Sequence, residues 1–321
     1  MDRSPLVGPF CRYVARWFAQ WLPPAVPANL VTLFSSGCMW VMLWLAATQA
    51  PALAPWCLVL MTGYVIYDHV DGMHSRRTGT SGPLGEFLDH YTDAFHGAIA
   101  VAAMFLVAGR EGSPWLGPVL WAVTLAGAAT MVEERECQQL HFGFIGPLEG
   151  MLLTIAYFAS WCFGSAADWW LAPRVGGLAV FELVMIAGAG GCLLTAASCA
   201  RRIGRLPVGL VGFGLAGVAL CGLGLWRGLD WWMIALPLTL HGADYTGRVI
   251  ASHLRGAASP RADWVAPAFM VCAVPAGLPA GWAAVIAAIY LLGRNAALMR
   301  GFFKIFGGYW RWWNQSAASP S

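Results

Sequence analysis

The segment YDHVDGMHSRRTGTSGPLGEFLDHYTDAF, residues 67–95, decides how the chain is interpreted. It carries four aspartates, one glutamate, three histidines and two arginines, and it lies between two long apolar segments. Asp68 and Asp71 are three residues apart, and Asp89 and Asp93 are four apart. Side chains at these spacings share one face of a helix, so two neighbouring helices can direct all four carboxylates to one point. We therefore expect a polar site between two apolar helices.

The composition indicates a membrane protein. Of the 321 residues, 59% are hydrophobic and only 11% are charged, whereas soluble domains carry about 25% charged residues. The 18 tryptophans and 38 glycines agree with this, since both residue types are common in membrane helices or at their interfaces. The sequence predicts an all-α polytopic membrane protein.

Apolar segments long enough to cross a bilayer, about 20 residues each, suggest about ten transmembrane helices. The predicted spans are 29–48, 52–71, 84–109, 114–133, 147–164, 176–199, 206–227, 230–253, 263–277 and 280–300. We expect residues 25–305 to form one transmembrane catalytic domain that contains the motif 68–93. Residues 306–321 are expected to form a cytoplasmic tail.

Residues 1–24 are predicted to form an amphipathic helix at the membrane surface. Apolar residues recur there at helical spacing with two arginines among them, the pattern of an interfacial helix. The apolar residues are Phe10, Val14, Phe18 and Trp21, and the basic ones are Arg12 and Arg16.

The basic residues predict the orientation. With ten spans, 16 of the 19 fall on the side of both termini, and three, Arg110, Arg174 and Arg227, fall on the other. Positive charge accumulates on the cytoplasmic side. Both termini and the acidic motif are therefore expected to face the cytoplasm.

Four carboxylates at a membrane interface require cations. Carboxylate oxygens suit hard divalent ions such as Mg²⁺ or Mn²⁺, and two ions held by shared carboxylates are typical of phosphoryl displacement. Gly72 is expected to end the helix and to let a ligand approach. Arg76 suits a phosphate, and Gly85 leaves space one turn before Asp89. Pro83 is predicted to open the next helix.

These residues resemble the motif of the CDP-alcohol phosphotransferase family, D-x2-D-G-x2-A-R-x8-G-x3-D-x3-D. The chain departs from it once, with Ser75 in place of alanine. Other stretches are similar to the choline- and ethanolaminephosphotransferase branch, although Val132 and Arg135 replace aromatic residues beside the glutamate pair. They are RRTGTSGPLGEFLDH (76–90), ANLVTLFS (28–35), EE (133–134), FGFIGPLEG (142–150) and GRVIASHL (247–254).

The resemblance implies the family's fold, with a six-helix catalytic core, and its reaction. Phosphoethanolamine or phosphocholine would pass from CDP-ethanolamine or CDP-choline to diacylglycerol, with release of CMP and a need for Mg²⁺ or Mn²⁺. Family members often form homodimers, so a homodimer in a lipid membrane is expected, with no nucleic-acid partner. Abundant arginine and scarce lysine favour a bacterial plasma membrane over the endoplasmic reticulum.

The resemblance also assigns roles to residues. The four motif aspartates are expected to hold two ions, with Gly72, Arg76 and Gly85 at the nucleotide end and Asn29 in contact with the nucleotide. Asp93 is the first candidate for the base, and the adjacent His90 is its competitor, since histidine titrates near neutral pH. His74 and His96 are expected to take no part.

Further charged residues remain. Glu149 opens an apolar span and could orient His90 or meet a cationic head group, or it could be an interfacial carboxylate in water. Residues 133–135, Glu-Glu-Arg, are interpreted as a local ion-pair cluster, and Asp244 with Arg248 as a buried ion pair beside His241.

Three alternatives stay open. The first is an enzyme of the same family with another alcohol, such as inositol phosphate, or with a CDP-diacylglycerol donor. The second is a polytopic transporter, although paired broken helices in matching halves of the chain are not evident. The third is a catalytically inactive relative, which the complete set of four aspartates argues against.

Overall fold

The computed structural model describes residues 5–48, 53–139 and 146–306. The predicted tail therefore lies outside the described residues, except for Phe306. The same holds for residues 142–145 of the FGFIGPLEG stretch. Statements about the structure refer to the described ranges.

The described chain is helical apart from one small hairpin. A π-helical segment, Cys11–Ala15, joins α1 to α2, and strands β1 (Pro173–Val175) and β2 (Leu178–Ala179) pair antiparallel. The helices are α1 Val7–Phe10, α2 Arg16–Trp21, α3 Ala28–Ala47, α4 Ala54–Thr78, α5 Pro83–Val107, α6 Leu116–Cys137, α7 Pro147–Ser160, α8 Ala166–Trp170, α9 Val180–Ile203, α10 Val208–Arg227, α11 Trp231–Leu254, α12 Val265–Ala273 and α13 Ala280–Phe306.

Each of the ten predicted spans coincides with one helix, but ten crossings are not confirmed. Within the described ranges, five helices are long and apolar enough to cross a membrane by length and composition, namely α3, α6, α9, α10 and α13. These five indicate a multi-pass membrane protein. With 14 and 9 residues, α7 and α12 extend about 21 and 14 Å at 1.5 Å per residue. Both are shorter than the bilayer core of about 30 Å.

The acidic motif occupies two helices that pack on a common neighbour. α3 lies against both α4 and α5, while α5 and α6 lie against α11, which in turn packs on α13. Phe87 of α5 stacks on Phe302 of α13, with ring centroids 3.9 Å apart. The motif is thus held by a bundle of helices that are distant in sequence.

α4 is longer than predicted, and Gly72 does not end it. The helix continues to Thr78, and Gly79 caps it in the left-handed conformation, with φ +67°. A glycine inside a helix costs only about 1 kcal/mol relative to alanine, whereas glycine is the residue that adopts the left-handed cap without strain. The prediction that Pro83 opens the next helix is confirmed.

The N-terminal segment is helical, and its predicted faces hold except at Trp21. Phe10 and Phe18 pack against α3 and α4, and Arg12 and Arg16 are exposed. Trp21, predicted on the apolar face, is 73% exposed. The π-helical segment shifts the register between α1 and α2, so a single 3.6-residue period does not hold along the whole segment. Whether the segment lies at the membrane surface stays a prediction.

Ion pairs join residues near several helix ends, and the predicted alternation of sides stays a prediction. Arg110, counted on the side away from the termini, lies 3.6 Å from Glu182 at the start of α9. Arg135 and Arg205, counted on the opposite side, both contact Glu136, at 2.5 and 2.6 Å. Each pair joins residues that the predicted topology assigns to one side.

A close approach between α6 and α10 yields a stability prediction. A Cβ at Gly217 would overlap Cδ1 of Trp121. The indole of Trp121 is held by a hydrogen bond from Nε1 to the Gly214 carbonyl, 3.0 Å long. We expect Gly217→Ala to lower stability by about 1–3 kcal/mol, the usual cost of overpacking. Thermal unfolding in detergent would measure this.

Gly222→Ala is the matched control, because a Cβ at Gly222 on the same helix has nothing within 4 Å. It should leave the melting temperature unchanged or raise it, since alanine is the better helix former. Equal melting temperatures for Gly217→Ala and the native chain would contradict the packing of α6 on α10.

Candidate active site

Three motif aspartates converge between α4 and α5. Asp68, Asp89 and Asp93 each place one carboxylate oxygen within 4.8 Å of those of the other two. The helical spacing that the sequence shows thus brings residues from both helices to one point. A set of carboxylate oxygens this close is the donor set that hard divalent cations take. The residues present therefore fit a divalent metal site.

The fourth aspartate, Asp71, lies outside this group and is held separately. It is only 5% exposed, and its Oδ2 accepts a hydrogen bond of 2.5 Å from the hydroxyl of Thr32 on α3. A buried carboxylate requires such a donor. Thr32 belongs to the ANLVTLFS stretch, so the resemblance to the branch was the available signal for it.

Asp93 is held by neighbours from two directions. The hydroxyl of Tyr64 on α4 lies 3.3 Å from Asp93 Oδ1, and Nδ1 of His96 lies 3.1 Å from the same oxygen. The other ring nitrogen of His96, Nε2, lies 2.9 Å from Oγ of Ser36 on α3. His96 thus contacts a motif carboxylate, and the expectation that it takes no part in the chemistry stays a prediction.

The residues predicted at the nucleotide end lie beside the aspartates. Asn29, 7% exposed, faces Gly85, since a Cβ at Gly85 would lie 3.3 Å from Asn29 Oδ1. Arg76 is exposed, and its Nη1 would lie 3.4 Å from a Cβ at Gly72. A side chain at Gly85 would crowd Asn29, and one at Gly72 would crowd Arg76. The two glycines therefore leave space beside these polar side chains.

His90 lies between two carboxylates. Its Nε2 is 4.0 Å from Asp89 Oδ2, and its Nδ1 is 3.9 Å from Glu134 Oε2 on α6. Glu134 also belongs to a second group, with Glu86 and His253, whose ligand atoms lie within 4.8 Å of one another. Glu134 is thus directed at the motif, which its sequence position alone does not indicate.

The interpretation of residues 133–135 as one local ion-pair cluster is wrong. Glu133 is fully buried and pairs with Arg202 of α9, while Arg135 pairs with Glu136. Successive helical residues point in different directions by about 100°, so neighbouring charges reach different helices. By contrast, the predicted pair of Asp244 and Arg248 is present, at 2.7 Å.

Two other predicted residues have local partners. The carboxylate of Glu149 accepts a hydrogen bond of 2.7 Å from the Gly146 amide and so caps its own helix, α7. Its role toward His90 or a head group stays a prediction. His74 Nε2 lies 2.7 Å from the Val26 carbonyl, so this histidine joins α4 to the segment before α3.

Comparisons with known proteins address the same region. The family model described as CDP-alcohol phosphatidyltransferase matches residues 25–188, which include the whole motif. Cholinephosphotransferase 1 of Saccharomyces cerevisiae is 28% identical over 184 residues, 52% of this chain and 45% of the relative. Choline/ethanolaminephosphotransferase 2 of Arabidopsis thaliana is 31% identical over 191 residues, 56% of this chain and 46% of the relative.

A third relative, cholinephosphotransferase 1 of Rattus norvegicus, is 25% identical over 222 residues, which cover 66% of this chain and 56% of the relative. The matched region thus spans about half the length of these relatives. The family model covers half of the chain and contains the converging aspartates together with Arg76 and Asn29. The chain therefore belongs to the CDP-alcohol phosphatidyltransferase family.

Proposed function

We propose that this chain is an integral membrane CDP-alcohol phosphotransferase that moves phosphoethanolamine or phosphocholine from a CDP-alcohol to diacylglycerol and releases CMP. The observation that carries the proposal is the convergence of Asp68, Asp89 and Asp93 from two adjacent helices, in a chain of this family. The named activities of the relatives, on choline and ethanolamine, support the choice of head group.

We propose the four motif aspartates as the residues that hold two divalent ions, Mg²⁺ or Mn²⁺. Bound ions of this kind neutralise the pyrophosphate of a CDP-alcohol and the charge that develops on departing CMP. The chain's own contribution is the fixed arrangement of carboxylates. Thr32 supports it at Asp71 through a hydrogen bond of 2.5 Å, and donors from α4 and α5 support it at Asp93.

The nucleotide end of the donor is assigned to Asn29, Gly72, Arg76 and Gly85. Arg76 offers a planar set of donors to a phosphate, and its exposure leaves it accessible to one. A side chain at Gly85 would crowd the amide oxygen of Asn29, since its Cβ would lie 3.3 Å away.

The geometry supports His90 as the base better than Asp93. Asp93 Oδ1 is already engaged by Tyr64 and His96, and the carboxylate belongs to the aspartate group. His90 lies within 4 Å of Asp89 and Glu134, and a nearby carboxylate stabilises the imidazolium formed when a histidine accepts a proton.

In the proposed step, the hydroxyl oxygen of the acceptor bonds to the phosphorus that carries the alcohol. The bond from that phosphorus to the CMP oxygen breaks, and the hydroxyl proton passes to His90. Glu134 lies on the far side of the ring, where it would hold the imidazole toward the aspartates. CMP leaves with the electron pair of the broken bond.

A cationic head group suits the second cluster of polar side chains at the site, which contains Glu86 and Glu134. Glu86 and Glu134 approach each other beside His90, and carboxylates attract an ammonium or a quaternary amine. An anionic alcohol such as inositol phosphate would be repelled by these carboxylates. The group therefore supports an amino-alcohol over the other alcohols that the family uses.

The remaining expectations stay proposals. We propose that the motif faces the cytoplasm, in a domain of residues 25–305 that assembles as a homodimer. The relatives named above come from yeast, a plant and a mammal, so they lend no support to a bacterial plasma membrane, and the membrane concerned stays a prediction from arginine usage alone.

The metal site predicts direct Mn²⁺ binding by the native chain in detergent, without substrate. We expect Asp89→Asn to weaken binding by at least roughly tenfold, since losing a ligand costs no less than losing the partner that orients one. Electron paramagnetic resonance of free Mn²⁺ would measure the dissociation constant.

Asp168→Asn is the matched control, because it is the same chemical change at an exposed residue of α8. Its Mn²⁺ binding should equal that of the native chain. If Asp89→Asn bound Mn²⁺ as tightly as Asp168→Asn does, the aspartates would not form the ion site.

The reaction predicts metal-dependent CMP release from CDP-ethanolamine or CDP-choline with diacylglycerol. Purified protein with Mg²⁺ or Mn²⁺ would be given each donor in turn, and CDP-diacylglycerol with inositol phosphate as the third pair. We expect turnover with an amino-alcohol donor and its loss in Asp68→Asn, with Asp168→Asn unaffected. Turnover with the third pair alone would reassign the substrate, and folded protein without turnover on any donor would favour a transporter.

The choice of base predicts separable effects at two residues that lie three positions apart on α5. His90→Gln should lower the rate of CMP release by roughly 10²–10⁴-fold, the usual contribution of a general base, while Mn²⁺ binding stays intact. Asp93→Asn should impair both. A His90→Gln protein with near-native turnover would return the role of base to Asp93.

A further inference from the structure

His96 is a buried histidine that the proposed reaction does not use. Its side chain is 3% exposed, whereas that of Asp93, one turn before it, is 40% exposed. Nδ1 lies 3.1 Å from Asp93 Oδ1, and Nε2 lies 2.9 Å from Ser36 Oγ. The imidazole therefore connects a polar residue of α3 to a carboxylate that opens toward the site.

The direction of these two hydrogen bonds follows from their chemistry. An ionised carboxylate only accepts hydrogen bonds, so Nδ1 of His96 carries the proton that faces Asp93. In the neutral ring Nε2 is then an acceptor, and the hydroxyl of Ser36 donates to it. This arrangement satisfies every polar atom of a buried imidazole and fixes one tautomer and one ring orientation.

The hydrogen bonds from Ser36 to His96 and from His96 to Asp93 act on the orientation of the Asp93 carboxylate. Its Oδ1 is contacted from α4 by Tyr64 and from α5 by His96, and the two rings pack edge to face, with centroids 4.7 Å apart. The carboxylate is thus anchored on its buried side and open on the other. Partners that hydrogen-bond a ligating carboxylate from behind fix its orientation and typically change metal affinity about 10–100-fold.

We propose that His96, held by Ser36, is a positioning residue that orients Asp93 and thereby sets the affinity of the aspartate site for divalent ions. The inference rests on the proposed function in one respect, that the aspartates hold metal. It differs from a purely structural role, in which Asp93 merely satisfies a buried histidine and the ion affinity is independent of the ring.

Direct Mn²⁺ binding by the full chain in detergent, without substrate, separates the two roles. His96→Leu removes both hydrogen bonds at similar volume and should weaken Mn²⁺ binding roughly tenfold. His96→Asn retains a short amide donor one turn from Asp93 and should recover most of the affinity. Melting temperatures of all variants would be measured in parallel.

His241→Leu is the matched control, since His241 is a fully buried histidine of α11 and has no role in the proposed reaction. Its Mn²⁺ affinity should equal that of the native chain. Native affinity in folded His96→Leu would overturn the inference, and so would an equal loss in His96→Asn or in His241→Leu.

Ser36→Ala keeps the test decisive if His96→Leu does not fold. Loss of the hydroxyl removes the hydrogen bond that holds Nε2 of His96. A larger dissociation constant for Mn²⁺ would therefore support the positioning role of His96, and an unchanged one would overturn it. A native chain that binds no Mn²⁺ would instead remove the metal site itself, and with it this inference. That outcome is distinguishable, because it appears before any variant is compared.

Discussion

Mutual repulsion among carboxylates is the constraint on which the site depends. Asp68, Asp89 and Asp93 bring their oxygens within 4.8 Å of one another, and like charges this close disfavour each other's ionised form, more so in an apolar surrounding. Helix packing holds them there, since α3 lies against both helices that carry them. The folded protein thus maintains a concentration of negative charge that a cation would relieve.

α3 contributes more to this site than its apolar sequence suggests. Three of its buried polar residues face the motif: Asn29 lies next to Gly85, Thr32 donates to Asp71, and Ser36 contacts His96. The spacings of three and four residues between them place all three on one helical face. One stripe of α3 thus supplies hydrogen-bonding groups to two acidic helices, while its other faces remain apolar.

The sequence predicts the parts of the fold and site that depend on local spacing. Asp68, Asp89 and Asp93 were found from helical periodicity, and all ten predicted segments are helices. The contact of His90 with Glu134 joins α5 to α6 across a sequence separation that no local period encodes. The same holds for Thr32 and Ser36, whose contacts with the site form only when α3 packs on its neighbours. α4 is predicted as a span but is not among the five helices apolar enough to cross a membrane, because Asp68 and Asp71 lower its hydropathy.

The way each charge is compensated separates structural from functional ionisable residues in this bundle. Buried Asp244 contacts Arg248 and Arg294, and buried Glu133 contacts Arg202, so these acids carry their own permanent counter-charge. A paired charge in an apolar environment is satisfied by the protein itself and needs no ligand.

The motif aspartates are compensated differently. The ion-pair partners that the described residues give to Asp68, Asp89 and Asp93 are histidines, at 3.6, 4.0 and 3.1 Å. A histidine carries no permanent charge, so it orients a carboxylate without a fixed counter-charge. Permanent arginine partners would satisfy the acids and abolish their attraction for an ion. The use of histidine, tyrosine and threonine as neighbours therefore orients the carboxylates without giving them a permanent counter-charge, which leaves them available to a cation.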